Sequence, residues 1–237
     1  MRNPEPSARQ APVFFVDSWR VYRKLVDQNY MFHREIYAEL GRQLRAVPEQ
    51  AFDLLDLGCG DATNLVPLLR TLPLASYCGV DLSEVALAAA AENLGGLACP
   101  VSLRQADMLD FLNREEDDRY AVIFSSFALH HLDTAAKGAF LAACHRRLRP
   151  GGRLLLIDVL REEDQSLADY LDAYCGTMAS EWRALSPEEL DFAIAHVRDC
   201  DRPDSLGQLR ALAAQAGFGR LIPHARHAWH HLVSLHG

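Results

Sequence analysis

Apolar residues recur at steps of three and four between Asp17 and Arg45. Tyr22, Val26, His33, Tyr37, Leu40 and Leu44 fall on one stripe, and this spacing predicts a helical arm. After Pro48 the pattern changes to short apolar runs separated by amphipathic stretches. Residues 52–57, 76–81, 101–106, 120–127 and 153–160 read as strands, with helices at about 62–72, 84–93 and 137–148. Strands that are apolar without alternation and are joined by helices predict a mainly parallel sheet covered on both faces, an α/β doubly wound architecture. From 161 to 216 the pattern is helical throughout. Two capping boxes mark helix starts there, Ser186-Pro187-Glu188-Glu189 and Ser205-Leu206-Gly207-Gln208. Gly217 ends the last helix, and strands around 218–225 and 229–235 bring the sheet to seven.

This pattern divides the chain into a disordered polar leader (1–12), a helical arm or lid (13–47), an α/β core (48–160), a helical cap (161–216) and strands completing the sheet (217–237). A hydrophobic fraction of 49% over 237 residues suffices for one such domain with an elaborated edge. No apolar run reaches the length of a membrane span, and MRNPEPSARQAP lacks the apolar segment of a secretory signal, so a cytoplasmic protein without a membrane partner is expected. Cysteines 59, 78, 99, 144, 175 and 200 form no CxxC pair; they read as reduced core thiols, and no metal site is expected. The net charge of −8 argues against a nucleic-acid partner. The basic group His145, Arg146, Arg147 and Arg149 reads as the solvated end of a helix. His224, His227, His230, His231 and His236, which lack a stable metal spacing, read as surface residues.

The sharpest constellation is Asp56-Leu57-Gly58-Cys59-Gly60-Asp61-Ala62, directly after the first strand. Glycines at 58 and 60 permit a tight turn and a close approach of ligand to backbone. Asp81 ends the second strand, where open α/β sheets place a carboxylate for ribose hydroxyls, and Asp107 ends the third, beside the expected adenine. A dinucleotide fingerprint requires a glycine at 63, where this chain has Thr63. A pyrophosphate also sits poorly beside Asp56 and Asp61, whereas the sulfonium and ammonium of S-adenosylmethionine are attracted by them. NADH is therefore expected to bind negligibly.

The segment LLDLGCGDATNLVPLL resembles the first motif of class I S-adenosylmethionine-dependent methyltransferases. YCGVDLSEVAL is similar to their second-strand motif, RQADMLDF to their adenine motif, LRPGGRLLLIDV to their turn into strand five, and FALHHL to the segment after strand four in small-molecule members. The resemblance spans 52–160 and departs at Ala62, where many members have glycine. It implies a Rossmann-like methyltransferase fold, S-adenosylmethionine as cofactor, and methyl transfer to oxygen, nitrogen or carbon of a small-molecule acceptor by a monomer or homodimer. Carried over to this chain, it implies that Asp56, Gly58, Cys59 and Gly60 hold the methionine part. Asp81 would hold the ribose hydroxyls, Leu82 would line the same cofactor crevice, Asp107 and Met108 would address the adenine, and Ser125, or a neighbour at the end of strand four, would lie near the donor methyl.

In-line displacement at carbon gains most from alignment, roughly 7–11 kcal/mol in favourable cases. Where the acceptor loses a proton, His131, and after it His130, are the candidate bases, since they follow the fourth strand tip. A structural histidine paired with a surface one is the competing reading of the two. Tyr22, Tyr30, His33, Tyr170, Tyr174, Trp182, Arg183 and Arg198 are acceptor-pocket candidates in an arm and cap that would exclude water. Most aromatic stripes at helical spacing are packing, and an exposed arginine more often forms a salt bridge. Two alternatives stand. The tail through QLRALAAQAGFGRLIPH resembles the carboxy-S-adenosylmethionine synthase group in layout, and a non-catalytic S-adenosylmethionine-binding module would keep the same crevice.

Overall fold

The computed structural model describes residues 20–48, 50–114 and 120–237. The expected leader at 1–12 lies outside them. In chain order the elements are α1 (20–27), α2 (His33–Arg45), β1 (Phe52–Leu57), α3 (Val66–Leu69), β2 (Leu74–Asp81), α4 (Glu84–Asn93), β3 (Val101–Gln105) and α5 (Met108–Leu112). They continue with β4 (Tyr120–Ser126), a 3-10 turn (Leu129–His131), α6 (Thr134–Arg147), β5 (Leu148–Val159), α7 (Leu167–Glu181), α8 (Pro187–Cys200), α9 (Leu206–Gln215), β6 (Arg220–His227) and β7 (His230–His236). Among the described residues no helix is long and apolar enough to cross a membrane.

Among the described residues the sheet has seven strands, in the order β3-β2-β1-β4-β5-β7-β6. The first five are mutually parallel; β7 runs antiparallel to both β5 and β6. This is the doubly wound sheet that the strand pattern predicts. Its reversal of order between β1 and β4 opens a crevice at the carboxyl ends of the strands. One face buries Leu55, Leu57, Val80, Ile123, Leu156 and Val233 against Phe111, Phe140, Leu141 and Leu209 from α5, α6 and α9. Each such side chain removed from water contributes about 1.5–3 kcal/mol. On the other face Tyr37 of α2 meets Phe124 edge-on, ring centres 6.3 Å apart. Gly41 gives Leu68 its space there: a Cβ at 41 would lie 2.9 Å from the Leu68 side chain.

Among the described residues the chain forms two compact units, one of residues 20–33 with Ala168–Asp201, the other of Arg34–Leu167 with Arg202–Gly237. Almost all of α2, drawn into the arm by periodicity, and α9, drawn into the cap, thus lie in the sheet unit. Their apolar stripes are the reason: Ile36, Leu40 and Leu44, and Leu209 and Ala213, are buried. The helical unit is built on aromatics. Tyr30 stacks on Trp182 at 5.4 Å, Tyr170 on Tyr174 at 5.5 Å, and Tyr174 meets Trp182 edge-on at 6.2 Å. The Ser186 capping box starts α8, and its Glu189 also accepts from Lys24 at 2.7 Å. The Ser205 box starts α9 in the sheet unit.

Three expectations need correction. The helix read continuously to Arg45 is interrupted at 28–32, where Asn29 and Phe32 take left-handed φ of 58° and 55°. The helix read over 62–72 contracts to the four residues of α3, because the turn before it holds Ala62 at φ 57°. Arg147, read as solvated, is buried with its guanidinium over the Phe111 and Tyr120 rings, a placement in which its stem covers apolar surface.

The C-terminal histidines also depart from the surface reading. His230 and His231 are buried, and on the α2 face His224 and His236 both bond the buried Ser234 hydroxyl, at 2.7 and 2.8 Å. Burial lowers His33 to about 4 and also lowers His224, His231 and His236 below the usual imidazole range. For these groups the unfolded chain binds protons that the folded chain refuses, so their contribution to stability falls as pH drops from about 6.5 toward 4. Replacing His33 by Gln is expected to flatten that acid limb in a chemical-denaturation series across this window; an unchanged slope would contradict the assignment.

Candidate cofactor and catalytic site

The glycine turn is fastened before any ligand enters. Gly58 and Cys59 both donate their backbone N–H to the Val80 carbonyl of β2, at 2.8 and 3.0 Å. The turn requires left-handed backbone at Gly58 (φ 75°) and Gly60 (φ 54°). A Cβ on Gly58 would stand 3.3 Å from the Ala128 side chain, so both the conformation and the space favour glycine. At Ala62, the departure from the family motif, the alanine itself adopts the left-handed region.

Asp81 is the clasp of the turn. One carboxylate oxygen accepts from Gly60 N–H at 2.8 Å and the other from Ser83 N–H at 2.8 Å, while Ser83 caps α4. Each carboxylate oxygen keeps a further lone pair for a ligand hydroxyl. Leu82, next in the chain, is 63% exposed, an apolar side chain standing at the strand tip. Asp107 caps α5, its Oδ1 accepting from Leu109 and Asp110 N–H at 2.8 and 3.1 Å, with Met108 half-buried beside it. Asp61 steadies the far side of the turn: its Oδ1 accepts from Thr63 N–H and its carbonyl from the Asn93 side chain.

Asp56 sits under the turn, buried, with the Tyr77 hydroxyl donating to it at 2.7 Å. Burial, with Asp81's charge adding and the Tyr77 bond opposing, pushes its carboxyl up to about 7. Burial, with Asp56 and Asp81 nearby, pushes the Cys59 thiol far up, so Cys59 acts through its backbone and packing. The cradle fits a cationic adenosyl group: two glycines that leave the turn's backbone bare, an exposed leucine beside it, and a buried carboxyl whose ionisation a positive charge would favour.

At the tip of β4 two adjacent serines have different partners. Ser125 is buried, and its hydroxyl donates to the Leu57 carbonyl at 2.8 Å, tying β4 to the base of the turn. The neighbouring Ser126 stands at the tip and accepts from the Tyr37 hydroxyl at 3.2 Å. His130 is buried. Asp158, near the end of β5, accepts from its backbone N–H at 3.0 Å and pairs closely with its ring Nδ1, and also accepts from Val159 N–H. His131 is exposed, its ring centre 4.0 Å from that of His130.

The sheet unit thus gathers Asp56, Gly58, Cys59, Gly60, Asp81, Leu82, Asp107 and Met108 along neighbouring strand ends. The acceptor candidates belong to the helical unit. Tyr170, Tyr174 and Trp182 are buried there in the aromatic stack; Tyr22 bonds His33 at 3.3 Å, and the Tyr30 hydroxyl accepts from Ala184 N–H. Arg183 is exposed, and Arg198 pairs with Asp172 at 3.0 Å. Tyr77, Tyr37 and Asp158 were missed in the sequence, whereas Ser126 is the neighbour of Ser125 at the end of strand four. Asp158 was findable by the rule that marked Asp81, an acidic residue closing an apolar strand.

Residues 54–152 match the family model described as a methyltransferase domain. The carboxy-S-adenosyl-L-methionine synthase of Aeromonas salmonicida is 28% identical over 155 residues, 64% of this chain and 61% of that protein. The synthase of the same name from Aeromonas hydrophila is 26% identical over 204 residues, 84% and 79% of the two chains. This chain thus spans less than two thirds of the first relative's length. Among solved structures, the DhpI–SAH complex superposes with a TM-score of 0.62 at 17% identity, covering 94% of this chain and 93% of that one, and shares the fold.

Proposed function

We propose that this chain, which belongs to the class I S-adenosylmethionine-dependent methyltransferases, transfers the donor methyl to oxygen, nitrogen or carbon of a small-molecule acceptor. The observation that carries the reading is the Asp81 clasp, a strand-end carboxylate bonded to the N–H of a left-handed glycine turn. Bound at this turn, S-adenosylmethionine supplies a methyl group made electrophilic by its sulfonium. Gly58 and Gly60 let the methionine part lie against backbone, Asp56 offers the charge beneath it, Asp81 takes the ribose hydroxyls, and Leu82, Asp107 and Met108 border the adenine.

His131 is the candidate to receive a proton from an acceptor that must lose one. It is exposed and follows the β4 tip, while His130 is held by Asp158 and steadies the turn that carries it. A neutral imidazole serves this role near pH 7. His131→Ala is expected to slow turnover about 10²–10⁴-fold while leaving S-adenosylhomocysteine affinity unchanged, as general-base loss does; an unaltered rate would return His131 to a surface role. The reaction itself is tested by incubating the chain with S-adenosylmethionine and a metabolite extract. Formation of S-adenosylhomocysteine together with a methylated acceptor supports methyl transfer, and its absence with every extract fraction favours a binding module.

A second reading draws on the two synthases of Aeromonas, whose printed name is carboxy-S-adenosyl-L-methionine synthase. It is making a carboxylated cofactor on the same turn. Native mass spectrometry of ligand carried through purification separates the two, since the carboxylated cofactor is heavier than the methyl donor.

A further inference from the structure

A seven-stranded open sheet has two edges, and here they differ in kind. The β6 edge carries Pro223, a register shift between Pro223 and Ala225, and exposed Arg220 and Arg226. Those are the devices that keep an edge from pairing with another chain. The β3 edge lacks the proline and the break: Val101–Gln105 pairs with β2 in unbroken register, and its one charged residue is Arg104.

The phase of β3 fixes which backbone groups face outward. Tyr77 N–H donates to the Pro100 carbonyl and Ala106 N–H to the Asp81 carbonyl, and with the register between them this turns the backbone groups of Ser102 and Arg104 toward β2. The N–H and C=O of Val101, Leu103 and Gln105 therefore point away from the sheet. The Leu103 carbonyl there is reached by the neighbouring Arg104 side chain at 3.5 Å, the limit of a hydrogen bond.

Three outward residues centred on Leu103 are self-complementary. In an antiparallel pair each outward residue exchanges both bonds with its opposite number. A two-fold axis through Leu103 sets Leu103 against Leu103, Val101 against Gln105 and Ser102 against Arg104, so no like charges are opposed. The apolar surface agrees. Leu82, Val85 and Val101 are the large hydrophobic side chains standing exposed among the described residues, just after β2, in α4 and in β3. Ala88 and Ala91 continue the exposed side of α4 with small side chains.

We propose that two copies of this chain join along β3, strand against antiparallel strand, about a two-fold axis through Leu103, with Val85 and Val101 covered at the seam. The interface is isologous, the same patch used by both copies. This holds whichever reaction the strand-tip site performs.

The test is sedimentation velocity of the full chain across a concentration series. The expected species has twice the 26.4 kDa chain mass. Gln105→Pro removes an outward N–H without touching the bonds to β2, and Val101→Lys places a charge on the seam. Each is expected to halve the mass with the far-ultraviolet dichroism unchanged. Should either variant fail to fold, Leu103→Cys decides. Opposed Cα atoms about 5.5 Å apart are within disulfide reach, so oxidation should yield a covalent dimer that the natural sequence does not form. A natural chain that stays at 26.4 kDa at every concentration, a dimer surviving both substitutions, or a Leu103→Cys variant that does not cross-link would overturn the proposal.

Discussion

Asp81→Ala is expected to bind S-adenosylhomocysteine about ten- to a hundred-fold more weakly than the natural chain, as titration calorimetry would measure. The side chain has two tasks that fail together. Its carboxylate holds Gly60 and Ser83 N–H, each at 2.8 Å, and under the proposed function it also receives the ribose hydroxyls. Losing hydrogen bonds to a charged group costs about 1.5–3 kcal/mol, which is the affinity range stated. Asp81→Asn keeps one acceptor oxygen and should fall between the two. Unchanged affinity in the alanine variant would mean that the clasp shapes the turn without touching ligand.

Asp56→Asn trades affinity for stability. In the folded chain burial pushes this carboxyl up to about 7, against about 3.9 for an unfolded aspartate, so folding opposes its ionisation. The sign follows: between those values the folded chain holds a proton that the unfolded chain releases, and Asp56's contribution to stability declines as pH rises through that window. The asparagine variant has no such decline and still accepts from Tyr77. It should exceed the natural chain by roughly 2–4 kcal/mol at pH 8, with the gain vanishing near pH 4. It should also bind the cationic donor more weakly. In the natural chain, binding of that donor near pH 7 should release protons, seen as a buffer-dependent calorimetric heat, because a nearby positive charge favours the ionised carboxyl. A variant no more stable at pH 8 than at pH 4, relative to the natural chain, would contradict the burial of a charge.

The two substitutions also separate what the sequence made legible from what it hid. Periodicity and punctuation were enough for the seven strands and both capping boxes, because apolar runs and Ser-x-x-Glu/Gln signals act locally. The turn and Asp81 were legible for the same reason: a glycine pair after a strand has few uses. Partnership across the sheet was not. Nothing in YAVIFSSF tells that Ser125 turns down to Leu57 while Ser126 stands at the tip beside Tyr37, since alternation fixes that two neighbours face opposite ways and not which way each faces. His130 and His131 were inseparable in sequence, and the carboxylate that distinguishes them is 28 residues away. His230 and His231 were misread because five histidines near the end of a chain look polar, whereas β7 lies between β5 and β6 and buries them. Asp56 was read as a carboxylate beside the turn, without its depth in the fold. Its burial against Tyr77 depends on a tyrosine of the neighbouring strand.

The most direct test is a crystal structure with S-adenosylhomocysteine. The methionine part should lie on Gly58–Gly60, the ribose hydroxyls within hydrogen-bonding distance of Asp81, and the adenine against Leu82. A nucleoside found elsewhere, or a turn closed over by the chain's own side chains while the ligand is bound, would contradict the assignment of this crevice.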